Sequence, residues 1–488
     1  MTDGLIALGI LATTLVVAFG LSIRAGGATS LEQWSLGNRG FGTVFVFMLL
    51  AGEIYTTFTF LGGSGWAYGR GAPAFYIVGY AAVAYVLSYW LLPAIWRRAS
   101  AWRVLTQPEF FARAYDSPAL GQLVSVVSLV ALVPYLVLQL KGLGIIVSET
   151  SYGTIDAATA IWVGMLATVL YVVLAGVKGS AYTAALKDAL VLASVVGLGI
   201  ALPATLHGGI GPMFDRIIAE RPDFLVLPAR GLSGAWFAST VLLTVCGFYM
   251  WPHTFGTVFT ARSEDALRRN AALMPLYQII LLFVFFIGFA ALLAVPGLEG
   301  ADADLALVRV TKLAFGPWVV GLVGAAGLLT ALVPGSLMLL TCATILARLV
   351  RRDEGVLASV SVARAFVPLV AAVALLLAFR GGQTLVTLLL LAYSIVTQLF
   401  PALVGALVWP RFVTASGAIA GLLVGEVIVA VTGIGSITLG QLLPSWPAVV
   451  TDVNPGVIAL LSNTASLVVV SALQRKFARP RHLSASGD

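Results

Sequence analysis

The chain is a succession of long apolar runs separated by short polar segments. Thirteen runs stand out, at 3–23, 42–66, 72–96, 121–147, 156–177, 184–206, 234–259, 271–296, 315–347, 357–379, 382–408, 412–432 and 454–474. Each reaches the roughly 20 residues that a helix needs to cross about 30 Å of hydrocarbon. The apolar positions are continuous and not alternating, which argues against a transmembrane β-barrel. The short linkers carry the Gly, Pro and charged residues of turns. The pattern predicts an all-α membrane protein of about thirteen transmembrane helices.

Composition agrees. Of 488 residues, 60% are hydrophobic and 10% charged, where a soluble domain is about 25% charged. The net charge of +7 is spread unevenly. Numbering the linkers alternately, nineteen Lys and Arg residues, from Arg24 to Arg481, fall on one side and eight on the other, with Arg364 inside a span. The positive-inside rule then places a multi-pass protein in the cytoplasmic (inner) membrane, N-terminus outside and C-terminus in the cytoplasm. The basic surplus is thereby explained without a nucleic-acid partner. The run from Leu5 to Leu21 follows an acidic start and reads as a retained first helix, not a cleaved signal. The two longest outer linkers, 207–233 and 297–314, carry Asp215, Glu220, Asp223, Glu299, Asp302 and Asp304, expected on a solvated surface.

Little here supports an enzyme. His207, His253 and His482 are scattered, with no HExxH or GxSxG context. Cys246 and Cys342 both lie in apolar segments, without zinc or disulfide spacing. No organic cofactor is implied. A channel or passive facilitator, the alternative class, would show a filter loop or charge ring, and none is found.

Two spans are interrupted. Span 42–66 reads LLAGEIYTTFTFLGGSGWAYG around Gly52, Glu53, Thr56, Thr57 and Thr59; span 234–259 reads LLTVCGFYMWPHTF around Gly247, Pro252 and His253. Gly and Pro free backbone groups that need other partners in hydrocarbon, so such spans line a polar cavity inside a bundle. The two are the first helices of corresponding five-helix halves, spans 2–6 and 7–11. Interruptions at matching positions point to a midplane site in an inverted-repeat transporter. Glu53, near mid-span, must face the bundle and be paired or protonated. His253 reads either as a proton relay or anion contact, or as a polar group at the cytoplasmic mouth. Lys187 and Asp188 read as a local ion pair at the cytoplasmic start of a span. Glu426, mid-span, reads as a subunit contact or a packed polar pair.

Several stretches, in order, carry a resemblance: GEIYTTFTF (52–60), PYLVLQL (134–140), AGVKGSAYTAALKDAL (175–190), WPHTFGTVF (251–259) with RRNAALMPLY (268–277), TALVPGS (330–336) and, more weakly, TQLFPAL (397–403). The chain resembles a sodium:solute symporter, most closely the bacterial monocarboxylate uptake permease subgroup. The resemblance implies a leucine-transporter-type 5+5 inverted repeat, organised as a first accessory helix in 1–30, a transport core 42–408, two accessory helices in 409–475 and a cytoplasmic tail 476–488. It implies ion-coupled symport of a small organic solute, a monocarboxylate such as lactate or pyruvate, with a monovalent cation, Na+ or H+, as second cargo. By position it implies substrate contacts at Thr56, Thr57, Thr59, Tyr135, Gln139, Tyr249, Trp251, His253 and Gln398. For the coupling ion it implies carbonyls of Gly52, Tyr55 and Thr330, and a hydroxyl pair at Val333 and Pro334. Those two residues have no side-chain oxygen, which leaves Glu53, Thr330 and Ser336 as the oxygens at hand.

Overall fold

The computed structural model describes residues 2–24, 28–350, 356–380, 383–434 and 439–477. Arg351, Arg352, Arg479, Arg481 and all but the first two residues of the expected tail lie outside the described residues. Within them the chain is helical, with no strand beyond one isolated bridge. Ten helices are long and apolar enough to span a membrane: α1 (Thr2–Arg24), α4 (Ala72–Trp102), α5 (Pro118–Thr150), α6 (Ala157–His207), α9 (Glu264–Ala294), α10 (Pro317–Val350), α11 (Val360–Ala378), α12 (Leu385–Val408), α13 (Ala415–Gly433) and α14 (Pro455–Phe477). Two bent pairs pass the same test together, α2 (Thr43–Ile54) with α3 (Phe58–Arg70), bent by 53°, and α7 (Gly234–Gly247) with α8 (Pro252–Thr260), bent by 45°.

Helix α6 merges two of the expected spans. At about 1.5 Å per residue its 51 residues reach about 76 Å, more than twice the hydrocarbon thickness. It is not one straight rod: Gly176 sits at φ 60°, ψ −158° inside it. A Cβ there would come within 2.6 Å of Trp34 Cδ1 and of the Trp34 carbonyl, so both the backbone angle and the close approach call for glycine. Counted as two spans, α6 restores the thirteen expected from the sequence.

Burial tells which helices are central. In its most apolar window α10 is 94% buried, whereas α1 is 22% buried. Helix α10 packs against α1, α5, α6 and α11 and forms the bundle axis. Helices α13 and α14 pack chiefly on each other at one flank. Large apolar side chains such as Trp162, Leu376 and Val427 are exposed on the outer faces, where lipid tails replace water.

Candidate functional site

The two bent pairs break for different reasons. At the first, Tyr55 leaves α2 at φ −83°, ψ 82°. The backbone groups this frees are taken up locally. The Thr56 amide donates to the Ile54 carbonyl at 3.0 Å and to Thr59 Oγ1 at 2.9 Å. The Phe58 amide donates to Thr56 Oγ1 at 3.1 Å. The amide and the hydroxyl of Thr57 donate to Gln139 Oε1 at 3.4 and 2.8 Å. At the second break, Trp251 precedes Pro252 and is driven out of the helical region, to ψ 126°. The neighbouring Met250 carbonyl accepts from Gln107 Nε2 at 2.8 Å.

Between the breaks lies a cavity of about 30 Å³, room for one or two waters. The first break contributes Leu50, Glu53, Ile54 and Phe58; the second contributes Phe248, Tyr249, Trp251, His253 and Thr254. Tyr80 and Tyr85 of α4, Tyr135 of α5, and Leu389 and Tyr393 of α12 close it. Trp251 stands 4.7 Å from the Tyr135 ring and 5.1 Å from the Tyr393 ring, centroid to centroid. Glu53 is 4% exposed. Its Oε1 accepts from Thr257 Oγ1 across the two broken helices. Its Oε2 and His253 Nδ1 are buried with no hydrogen-bond partner.

Beyond the cavity, hydrogen bonds hold the two ends of the broken helices. At one, the Phe41 amide donates to the Thr260 carbonyl at 3.0 Å and the Arg262 amide to the Phe41 carbonyl at 2.9 Å. These bonds tie the start of α2 to the end of α8. At the other, Tyr68 of α3 donates to the Val295 carbonyl at 2.8 Å. There Asp304, 2% exposed, accepts from the first amide of α12, Leu385, at 3.0 Å. Burial holds the Asp304 carboxyl up at about 7, against the lowering pull of the Leu385 amide and the charge of Lys141. This corrects the expectation that all the acids of 297–314 are solvated. Glu299 and Asp302 are exposed, and Asp304 is a buried cap.

Of the residues implied for substrate, Tyr135, Tyr249, Trp251 and His253 reach the cavity wall. The Thr56 and Thr59 hydroxyls serve the broken backbone, and the Thr57 hydroxyl is spent on Gln139. Gln398 is turned away: Asn463 of α14 donates to its carbonyl and its Oε1 at 2.7 and 3.2 Å. Sequence reasoning missed Tyr80, Tyr85, Phe248, Thr254 and Tyr393. Tyr76 and Tyr80, four residues apart, share a helix face, but Tyr85 lies about 140° round from Tyr80 and its place in the wall does not follow from that spacing.

Residues 34–425 match the sodium:solute symporter family. The chain belongs to the sodium:solute symporter family. It is 52% identical over 478 residues to the uncharacterized symporter YhjB of Bacillus subtilis (strain 168), covering 96% of this chain and 97% of that one. It is 28% identical over 459 residues to a monocarboxylate transport permease protein of Rhizobium johnstonii, covering 91% and 90%. Among solved structures it superposes on a Na+-coupled sialic acid symporter in a substrate-bound, outward-open state. That match has TM-score 0.77 and 16% identity, and covers 97% of this chain and 98% of the other. The shared fold is the inverted-repeat bundle expected of the family.

The positions that the family resemblance gives to sodium are filled from within this symporter. Lys187 of α6, 0% exposed, donates from Nζ to the Gly52 carbonyl at 2.7 Å and to the Tyr55 carbonyl at 3.0 Å. Its Nζ also lies 3.1 Å from Asp188 Oδ1. A Cβ placed on Gly52 would lie 3.7 Å from Val333 Cγ1 and 3.8 Å from Lys187 Nζ, so a methyl group and an ammonium crowd this backbone. Ser336 Oγ is engaged by Ser180 at 2.9 Å and by the Val333 carbonyl at 2.6 Å. Thr330 Oγ1 donates to the Gly327 carbonyl at 2.6 Å. Pro334 lies within α10 and has no amide to donate to the Thr330 carbonyl four residues back. A cation that needs oxygen ligands does not fit here while the lysine is in place. Lys187 is therefore not the loop charge expected from the sequence, and no span begins at it. It lies well inside α6, though its ion pair with Asp188 is present.

Proposed function

We propose that this protein carries a small organic acid, a monocarboxylate such as lactate or pyruvate, into the cell together with a monovalent cation, by alternating access. The observation that carries the reading is the small cavity between the two broken helices, walled by Glu53, His253 and aromatic rings. As it stands the cavity has room for one or two waters, and a shift of the aromatic walls would open it to a solute of a few heavy atoms. The His253 ring, with an unpartnered nitrogen, and the tyrosine hydroxyls are the groups that would hold a carboxylate. The Rhizobium johnstonii relative, a monocarboxylate permease by name, supports the same class. In the orientation drawn from the basic residues, the Phe41 end of the cavity faces the cytoplasm and the Tyr68 end faces outward.

Glu53 favours a second reading. An unpartnered carboxylate oxygen in the wall suits a solute with a positive group, such as a zwitterionic amino acid. Proteoliposomes offered labelled pyruvate, lactate and alanine, with cation gradients imposed one at a time, decide between them. Saturable, gradient-driven accumulation of pyruvate or lactate is expected. Accumulation of alanine alone replaces the first reading by the second, and no gradient-driven uptake of any small solute removes symport.

A further inference from the structure

We infer that Lys187 is the resident cation of this symporter, standing where relatives would bind sodium, and that transport runs without sodium. This rests on the symport reading and deepens it. Breaking a helix inside a bilayer leaves carbonyl oxygens that must meet a donor or a cation. At the first break the Gly52 and Tyr55 carbonyls both point at one ammonium, at 2.7 and 3.0 Å. Asp188 Oδ1 lies 3.1 Å from the same ammonium and pairs with its charge. An ammonium has three donors and no acceptor, and the two carbonyls take two of them.

The facing helix has lost what sodium would use. At Val333 and Pro334 of α10 there is a methyl and a ring where the family resemblance expects hydroxyls, and Val333 Cγ1 approaches the same backbone as Lys187 Nζ. The two changes complement each other. An ammonium that brings its own positive charge needs no hydroxyl ligands opposite. A pair of hydroxyls would be redundant beside it, and a sodium ion would meet a like charge at contact distance. The side chain is entirely buried and is anchored on α6, so the charge does not leave with the solute. It holds the broken end of α2 to α6.

The test uses the purified, full-length protein. Its melting temperature is measured in detergent with NaCl against KCl and choline chloride at equal ionic strength. Proteoliposome uptake of pyruvate and lactate is measured with inward sodium and inward proton gradients imposed separately. The expected result is melting temperatures within about 1 °C across the three salts, and initial uptake within twofold when sodium is replaced. A sodium-specific rise of several degrees, or uptake at least tenfold faster with sodium, overturns the inference and leaves symport standing. If neither gradient drives uptake of any solute the symport reading fails, and the salt series still judges the cation site. A variant combining Lys187→Ala, Val333→Ser and Pro334→Ser restores the missing oxygens and removes the ammonium. It should gain a sodium-specific stabilisation of several degrees. If it stays folded and shows none, these residues are not the family's cation position.

Discussion

The two helix breaks face one cavity, yet they are built on opposite principles. The break at Tyr55 is polar and self-satisfied: Thr56, Thr59, Gln139 and Lys187 take up its backbone groups. The break at Trp251 comes from proline geometry and is faced by aromatic rings, with Gln107 serving the Met250 carbonyl. The first is a charged joint, in which removal of one partner leaves others buried and unpaired. The second is a flexible wall, in which removal of one ring leaves space. Stability should therefore concentrate at the first, and solute selection at the second.

The largest expected effect is at the junction of the two. Glu53 links both broken helices through Thr257. Glu53→Gln should reduce gradient-driven uptake to background, more than 100-fold, while the protein still elutes as a monodisperse, folded species in detergent. Wild-type uptake in this variant would take Glu53 out of the mechanism. Next comes the charged joint itself. Lys187→Met leaves the Gly52 and Tyr55 carbonyls and Asp188 without their cation, and should cost about 3 kcal/mol of stability, measured by reversible denaturant unfolding in mixed micelles. A cost below about 1 kcal/mol would mean that the joint is not held by this charge.

The wall should respond in affinity instead. His253→Gln removes a ring nitrogen from the cavity, and a hydrogen bond of about 1.4 kcal/mol corresponds to about tenfold in apparent KM. A change in melting temperature with unchanged KM would invert the comparison. The smallest effect on transport is expected at the outer end, where the readout is stability. Asp304 titrates near 7 when folded and near the ordinary 3.9 when unfolded, so the folded state holds the extra proton between those values. Stability should be highest below about pH 4 and decline as pH rises toward 7, by at most about 1.4 kcal/mol per pH unit. Above 7 it should level off. Asp304→Asn should flatten that slope, as thermal melts across pH 4–8 would show.

Much of the wall was legible in advance. Tyr135, Trp251 and His253 sit in stretches that carry the resemblance and Tyr249 lies two residues before one of them, and both breaks were marked by glycine, proline and threonine in otherwise apolar runs. Gln398 was misplaced because a single residue in a helix gives no sign of which neighbour it will face, and here Asn463 claims it. Asp304 was assigned to the surface because its linker is polar. Its burial follows from how that linker folds over the start of α12.

The sequence by itself determined the membrane setting, the spans and the two breaks, because hydropathy and helix-breaking chemistry act over one or two turns. It also showed that Val333 and Pro334 bring no oxygen where the family resemblance expects two. Only the tertiary structure decided what took their place. Lys187 lies 135 residues from Gly52 along the chain, in a stretch whose local pattern is equally that of a cytoplasmic loop charge. Packing α6 against α2 brings its ammonium to the freed carbonyls, and a contact between distant helices leaves no trace in the periodicity of either one.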